Sequence, residues 1–433
     1  MERRVLLLVA ASSVILIGTV HLLADRLEDT FYIPPDHPAI RYGQSPLDDP
    51  IARLEKRLES GQVKLEYAPN GGGYLPAVLK QLGINVDSQV LVFSKTSIQA
   101  ERISPATPRA IYFNDDVAAG FVQRGDLLEF AALDSKRGVV FYTLDAQKSV
   151  RPAFTRRNDC LRCHQGPATL GVPGILVSSV HPRSEQRDSH GSSFLTDHRS
   201  PLNERWGGWY VTGTTGSQKH LGNNTALVDA IHPGEAAGDG SQNVTSLSAF
   251  FDTARYPAAT SDVVALMTLE HQVRMTNLIT RIGWDASIAL YDRKTDDETQ
   301  GKIRAEIEEM VGYMLFANEA PLQAPITGVS TFTKTFAEKG PRDGAGRSLR
   351  DFDLQTRLFK YPVSYMIYGA AFDGMPKMAR DQVYQRLYDV LSGRDQDQKF
   401  ARLPAADRRA ALEILRDTKP NLPAYWKTPS AAQ

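Results

Sequence analysis

The sequence predicts an α+β fold: a β-rich N-terminal part, a cysteine-bearing segment mid-chain and a mainly helical C-terminal part. Three observations carry this. Short runs of β-branched and aromatic residues, separated by turn residues, fill 89–144. From residue 262 onward, apolar residues recur at spacings of three and four. Between these regions stand the only two cysteines of the 433 residues, Cys160 and Cys163, with His164 directly after them.

The chain opens on the basic head Met1-Glu2-Arg3-Arg4, and Val5 to Val20 then runs without a charge. Extended to Leu23, this run is about long enough to span a bilayer. Leu22 stands where a cleavage site needs a small residue before Ala24, so the run reads as an uncleaved signal-anchor rather than a cleaved signal peptide. Arginines precede it and acids dominate just after, which keeps the head in the cytoplasm and exports the body. The expected location is a bacterial inner membrane with a periplasmic domain, or the soluble periplasm if the segment is cleaved. Pro34, Pro35, Pro38 and Pro46 mark a linker.

A helix is expected from Asp49 to Glu59, with Ile51, Leu54 and Leu58 on one face. Asn70-Gly71-Gly72-Gly73 lacks the Lys-Ser or Lys-Thr pair of a phosphate loop and reads as a plain loop. Strands follow at Val90 to Phe93, Ala110 to Phe113, Leu127 to Ala132 and Val139 to Thr143. Asn114-Asp115-Asp116 and Ser135-Lys136-Arg137-Gly138 supply turns between them. Further strands are expected at Ile175 to Val180 and Trp209 to Thr214. Ser261 opens a helix from Asp262 to Ile282, stopped by Gly283. Thr295-Asp296-Asp297-Glu298 is a capping-box sequence for a helix reaching about Asn318, and two more helices span Met378 to Leu391 and Ala405 to Arg416.

Cys160-Leu161-Arg162-Cys163-His164 is the spacing that covalent c-type haem attachment requires. Two thiols add across the haem vinyl groups, and the adjacent imidazole reaches the iron as proximal ligand. With no third cysteine, a second haem of this type and a further structural disulfide are excluded. A zinc site would need four ligands where two thiolates stand with distant histidines. A thioredoxin-like pair would need a βαβ setting that the flanks do not show. The 50 basic and 50 acidic residues cancel, so no net charge argues for a nucleic-acid partner.

For the opposite face of the iron, the candidates are histidines. The first downstream methionine is Met267, more than a hundred residues away. His271 is the candidate distal ligand, because Val264, Met267, His271, Met275 and Leu278 share one helical face where a buried imidazole needs a partner. A core histidine bonded to a carbonyl or carboxylate is the competing reading, and Met267 and Met275 are either packing for a porphyrin or plain core. His198 and His220 are weaker candidates; they flank Arg205-Trp206-Gly207-Gly208-Trp209-Tyr210, where Arg205 with the two histidines would make a polar distal pocket. Arg156, Arg157 and Arg162 beside the motif are expected to be solvent-exposed rather than paired with haem propionates.

The motif resembles that of c-type cytochromes in general. Asn158 to Pro182, Arg205 to Gly216, Leu269-Glu270-His271-Gln272, Ser364 to Asp373 and Asp417 to Trp426 are similar to a group of large exported bacterial single-haem proteins of unassigned activity. The resemblance implies one covalent haem c and export, and transfers no reaction. The long chain after the motif departs from a compact small class I cytochrome. Five segments result: 1–24 as signal-anchor, 25–48 as linker, 49–150 as a small α/β unit, 151–290 as the haem-binding region and 291–433 as a helical C-terminal region. The expected function is a membrane-anchored periplasmic cytochrome that passes electrons to or from a redox partner protein. The alternatives are a haem enzyme of oxidase or peroxidase type with an open distal site, and a structural or sensor subunit.

Overall fold

The structure, a computed structural model, describes residues 32–44, 46–69, 71–180, 193–226, 242–395 and 397–427. The fold is α+β, with the strands concentrated before the cysteine motif and the long helices after it. The apolar run at 1–24 lies outside the described residues. Among the described residues no helix is long and apolar enough to cross a membrane, so the expected transmembrane helix is not found there.

Asp49 caps α1 (Pro50–Glu59), its Oδ1 accepting from the amides of Ile51 and Ala52. Helix α2 (Leu75–Leu82) follows and ends at Gly83, whose φ of 66° suits a left-handed cap. Strands β1 (Val90–Val92), β2 (Arg109–Phe113), β3 (Val117–Phe121), β4 (Leu127–Asp134), β5 (Gly138–Asp145) and β6 (Phe154–Arg156) form an antiparallel sheet. Its order is β6-β5-β4-β3-β2-β1-β9, the last strand being Trp209–Tyr210. Strands β7 (Ser178–Val180) and β8 (Ser193–Leu195) make a separate pair.

Strand β4 shows why the sheet forms: buried and half-buried residues alternate along it, as period-two side chains must. Leu128, Phe130 and Ala132 join Tyr112, Tyr142 and Leu144 in one core, closed by Ile51 and Leu54 of α1 and by Leu75 and Val78 of α2. Val90, Val92, Phe113 and Trp209 belong to a second core, built mainly from helices. The sheet therefore has one face under α1 and α2, while the other is shared between the helical core and the cysteine segment.

The motif itself forms one helical turn, α3 (Leu161–His164). Helix α4 (Val263–Tyr291) is capped by Asp262, whose Oδ1 accepts from Val264 N and Ala265 N. Ser261 has a different task from the expected cap: its hydroxyl donates to the Tyr210 carbonyl and accepts from Leu91 N, tying the helix start to β9 and β1. The helix runs through Gly283 rather than stopping there, because Trp284, Ala286 and Ala289 continue its buried face. Their burial outweighs a glycine penalty of about 1 kcal/mol.

Asp296 caps α5 (Asp297–Met314) by accepting from Thr299 N at 2.8 Å. The helix ends short of Asn318 because Phe316 adopts a φ of 55°. Then come α6 (Phe332–Glu338), α7 (Ala370–Gly374), α8 (Lys377–Leu391) and α9 (Ala405–Thr418). The periodicity from 378 to 391 and from 405 to 416 predicts the last two to within two residues.

Candidate haem-attachment site

After β6 the chain turns through Asn158–Cys160 into α3, which brings the two thiols and the imidazole, at spacings of three and four, to one side of a short helical segment. Cys160 is half-buried and Cys163 exposed, and both are free thiols. Burial, followed by Asp159, pushes the Cys160 thiol up. That is opposite to the lowered pKa of a metal-binding or disulfide-exchanging cysteine.

His164 packs its ring on Phe141 of β5, with centroids 4.7 Å apart. Its Nδ1 lies 3.0 Å from the Gly174 carbonyl oxygen. A carbonyl only accepts, so Nδ1 carries the proton and Nε2 the lone pair. Burial lowers the pKa, keeping the ring neutral, and Nε2 has no hydrogen-bond partner among the described residues. Gly174 is held in turn by its amide, which donates to the His164 carbonyl, and by the absence of a side chain. A Cβ there would come within 2.2 Å of Asn277 Oδ1 on α4. A histidine fixed through one nitrogen, with the other free, is the arrangement that orients metal-ligating imidazoles.

The charged groups that act on His164 are Arg109 and Glu129 of the sheet, ion-paired with each other at 2.5 Å. Of the three arginines beside the motif, Arg162 is exposed. Arg157 makes a bidentate pair with Asp159 at 2.9 and 2.6 Å, and Arg156 donates to the Tyr42 carbonyl.

The histidines expected opposite His164 are elsewhere. His271 and His198 face one another, Nδ1 to Nδ1, at 2.9 Å. His271 Nε2 lies 2.7 Å from Ser364 Oγ, so both its nitrogens have partners inside the helical core. Both rings stack on Tyr313, and that of His271 also on Phe316. His220 accepts from Gly222 N through Nδ1 and sets its ring edge-on to Trp206.

Arg205 is a brace rather than a pocket wall. Buried, it donates to the carbonyls of Ser200 and His198 and pairs with fully buried Glu270 at 3.2 Å. Met267 and Met275 are ordinary core. The expectation of a metal centre joining His164 to His271, His198 or His220 is thus corrected. Among the described residues no three His, Cys, Asp or Glu side chains gather as a metal site. The physical reason is that α4 turns His271 toward α5 and Ser364. His181, His190 and His232 lie outside the described residues.

Sequence reasoning gave no role to Gly174, Glu270, Tyr313 or Ser364, although all but Tyr313 lie in the stretches of resemblance. The tandem Glu270-His271 inside an apolar stripe was the one signal of a buried polar cluster; the others are set by tertiary packing alone. No protein-family model, curated protein or solved structure matches this chain.

Proposed function

We propose that the chain carries one haem c, joined through thioethers to Cys160 and Cys163 with His164 Nε2 as an iron ligand, and that it exchanges single electrons with a redox partner protein in an exported compartment. The observation that supports this is His164 itself, anchored through Nδ1 to the Gly174 carbonyl with Nε2 left free. Such attachment needs two thiols and one imidazole and does not call for a cluster of side-chain ligands. Bound there, haem supplies a one-electron iron couple. The chain's own part is to hold the imidazole neutral and in one tautomer, and to offer the Cys163 thiol to solvent, where attachment takes place.

A specific observation favours the second reading, a haem with an open face. The partners of His271 are already taken, and His198 is sealed beside it in the core. One spectrum separates the two. A reduced spectrum unchanged by carbon monoxide supports the closed carrier; prompt carbon monoxide binding supports the open site. For attachment itself, the full chain is made in a host with haem-attachment machinery and stained for haem on a denaturing gel. The native chain should stain, and Cys160→Ser with Cys163→Ser should not. A native chain without stain overturns the proposal.

A further inference from the structure

A cavity of about 140 Å³ lies where the turn between β2 and β3 meets the end of β4, α4 and the segment around α7. Leu133, Ile279, Met366 and Phe372 line it with apolar surface, and Tyr365 and Tyr368 add aromatic rings. Two carboxylates, Asp115 and Asp116, stand on the same wall.

The two acids differ in their partners. Asp115 is ion-paired with Arg350, whose guanidinium lies 4.3 Å from the Tyr365 ring centroid and 4.6 Å from that of Phe336. Asp116 uses its backbone, donating to Asn114 Oδ1 and accepting from Leu133 N. Its carboxylate has neither a hydrogen bond nor an ion pair among the described residues. Arg53, another nearby cation, is paired with Asp48 at 3.2 Å. Arg53 and Arg350 act on Asp116 only at longer range, so its carboxylate is the acid of this wall without a direct partner among the described residues.

That charge shapes the ligand. An anion is repelled. A hard metal ion needs several oxygen ligands where this wall is mostly carbon, and no three-residue metal cluster is present among the described residues. A cation sheathed in methyl or methylene groups suits both the carboxylate and the aromatic walls. Cavities of about 150 Å³ accept a molecule the size of benzene, which sets the ligand at about five or six heavy atoms.

We propose that this cavity binds a small alkylammonium ion, with the Asp116 carboxylate as its counter-ion and the tyrosine and aliphatic walls against its alkyl groups. Burial and the neighbouring Asp115 push the Asp116 carboxyl up, so a bound cation relieves a carboxylate that is costly to ionise alone. The site shares no residue with the cysteine motif and stands independently of haem.

The test is titration calorimetry of the full chain with tetramethylammonium chloride at constant ionic strength, using tert-butanol as a neutral probe of the same shape. Saturable one-site binding is expected. Both tert-butanol on the native chain and tetramethylammonium on Asp116→Asn should bind about tenfold more weakly or worse, since a partly desolvated charge pair is worth at least that. No saturable heat up to about 50 mM, equal binding of the two probes, or unchanged affinity in folded Asp116→Asn overturns the proposal. Should Asp116→Asn fail to fold by circular dichroism, the comparison of the two probes on the native chain decides.

Discussion

His198 and His271, 73 residues apart in sequence, meet through their Nδ1 atoms at 2.9 Å inside a core that leaves neither exposed. Burial drives the His198 pKa well below the ordinary value and that of His271 down to about 3. Both are neutral at pH 7, and one Nδ1–H donates to the other. A pair of this kind is a packing and hydrogen-bonding device, and its consequences are for stability.

The first prediction is the sign of its pH dependence. Between about pH 6.5 and 3 the unfolded chain protonates His271 and the folded chain does not. Stability from this group is therefore complete above pH 6.5 and is lost as pH falls, by on the order of a few kcal/mol. Glu319, pushed up to about 7 by burial, works in the opposite sense: its ionisation disfavours the folded state as pH rises toward 7. The contribution of His271 is thus isolated by difference. His271→Gln should lower stability at pH 7 by about 2 kcal/mol and show a shallower loss between pH 6.5 and 4 in urea titrations. An acid slope equal to the native one refutes the assignment.

Arg205 and Glu270 form a buried ion pair, 4% and 0% exposed in their side chains. Removing one partner strands the other, so Arg205→Met should cost about 3–5 kcal/mol. Arg205→Met with Glu270→Gln should recover much of that loss. A double variant as unstable as the sum of the singles would show that the pair is not coupled.

Asp262 serves two elements with one carboxylate. Oδ1 caps α4, and Oδ2 accepts from Val329 N, Ser330 N and the Ser330 hydroxyl, all within 2.8 Å. Losing the cap costs about 1 kcal/mol, and each half-buried amide left without its acceptor about 1 more. Asp262→Ala should accordingly destabilise the chain by about 3 kcal/mol in chemical denaturation. A loss under about 1 kcal/mol would mean that only the helix cap matters.

Gly207 lies so close to β7 that an added Cβ would sit 1.9 Å from the Val180 carbonyl oxygen, where Val180 N donates to Gly207 O at 2.9 Å. Gly207→Ala must separate the two segments. It should cost about 3 kcal/mol or more and raise amide exchange at Val180. Native-like protection of that amide would contradict the close approach.

Gly174→Ala reaches the proposed haem site without touching a ligand. Its Cβ would collide with Asn277 Oδ1 and shift the carbonyl that holds His164. Haem staining should persist, because the thiols are unchanged, while the reduction potential and the axial-ligand spectrum should move. An unchanged spectrum with unchanged potential would show that the Gly174 contact does not tune the site.

The α+β class, α1, β1, β2, β4, β5 and the two C-terminal helices were legible because their apolar periods are local properties of the chain. So was the cysteine motif, because its spacing lies in five consecutive residues. Strand β3 was not, since Val117-Ala118-Ala119-Gly120-Phe121 is too rich in small residues to look like a strand alone; it is one because β2 and β4 pair with it. Likewise, α4 passes Gly283 because Trp284, Ala286 and Ala289 beyond it are buried, a fact no local propensity contains.

By itself, then, the sequence determined the fold class and the spacing of Cys160, Cys163 and His164 on which the haem proposal rests, and left no further cysteine among its 433 residues for a second motif of that kind. Only the tertiary structure decided which nitrogen of His164 is free, by bringing Gly174 under its Nδ1. It likewise decided that His271 faces His198 and Ser364 rather than the motif. A motif is fixed by covalent neighbours, whereas the partner of a buried polar atom is fixed by which distant segment packs against it.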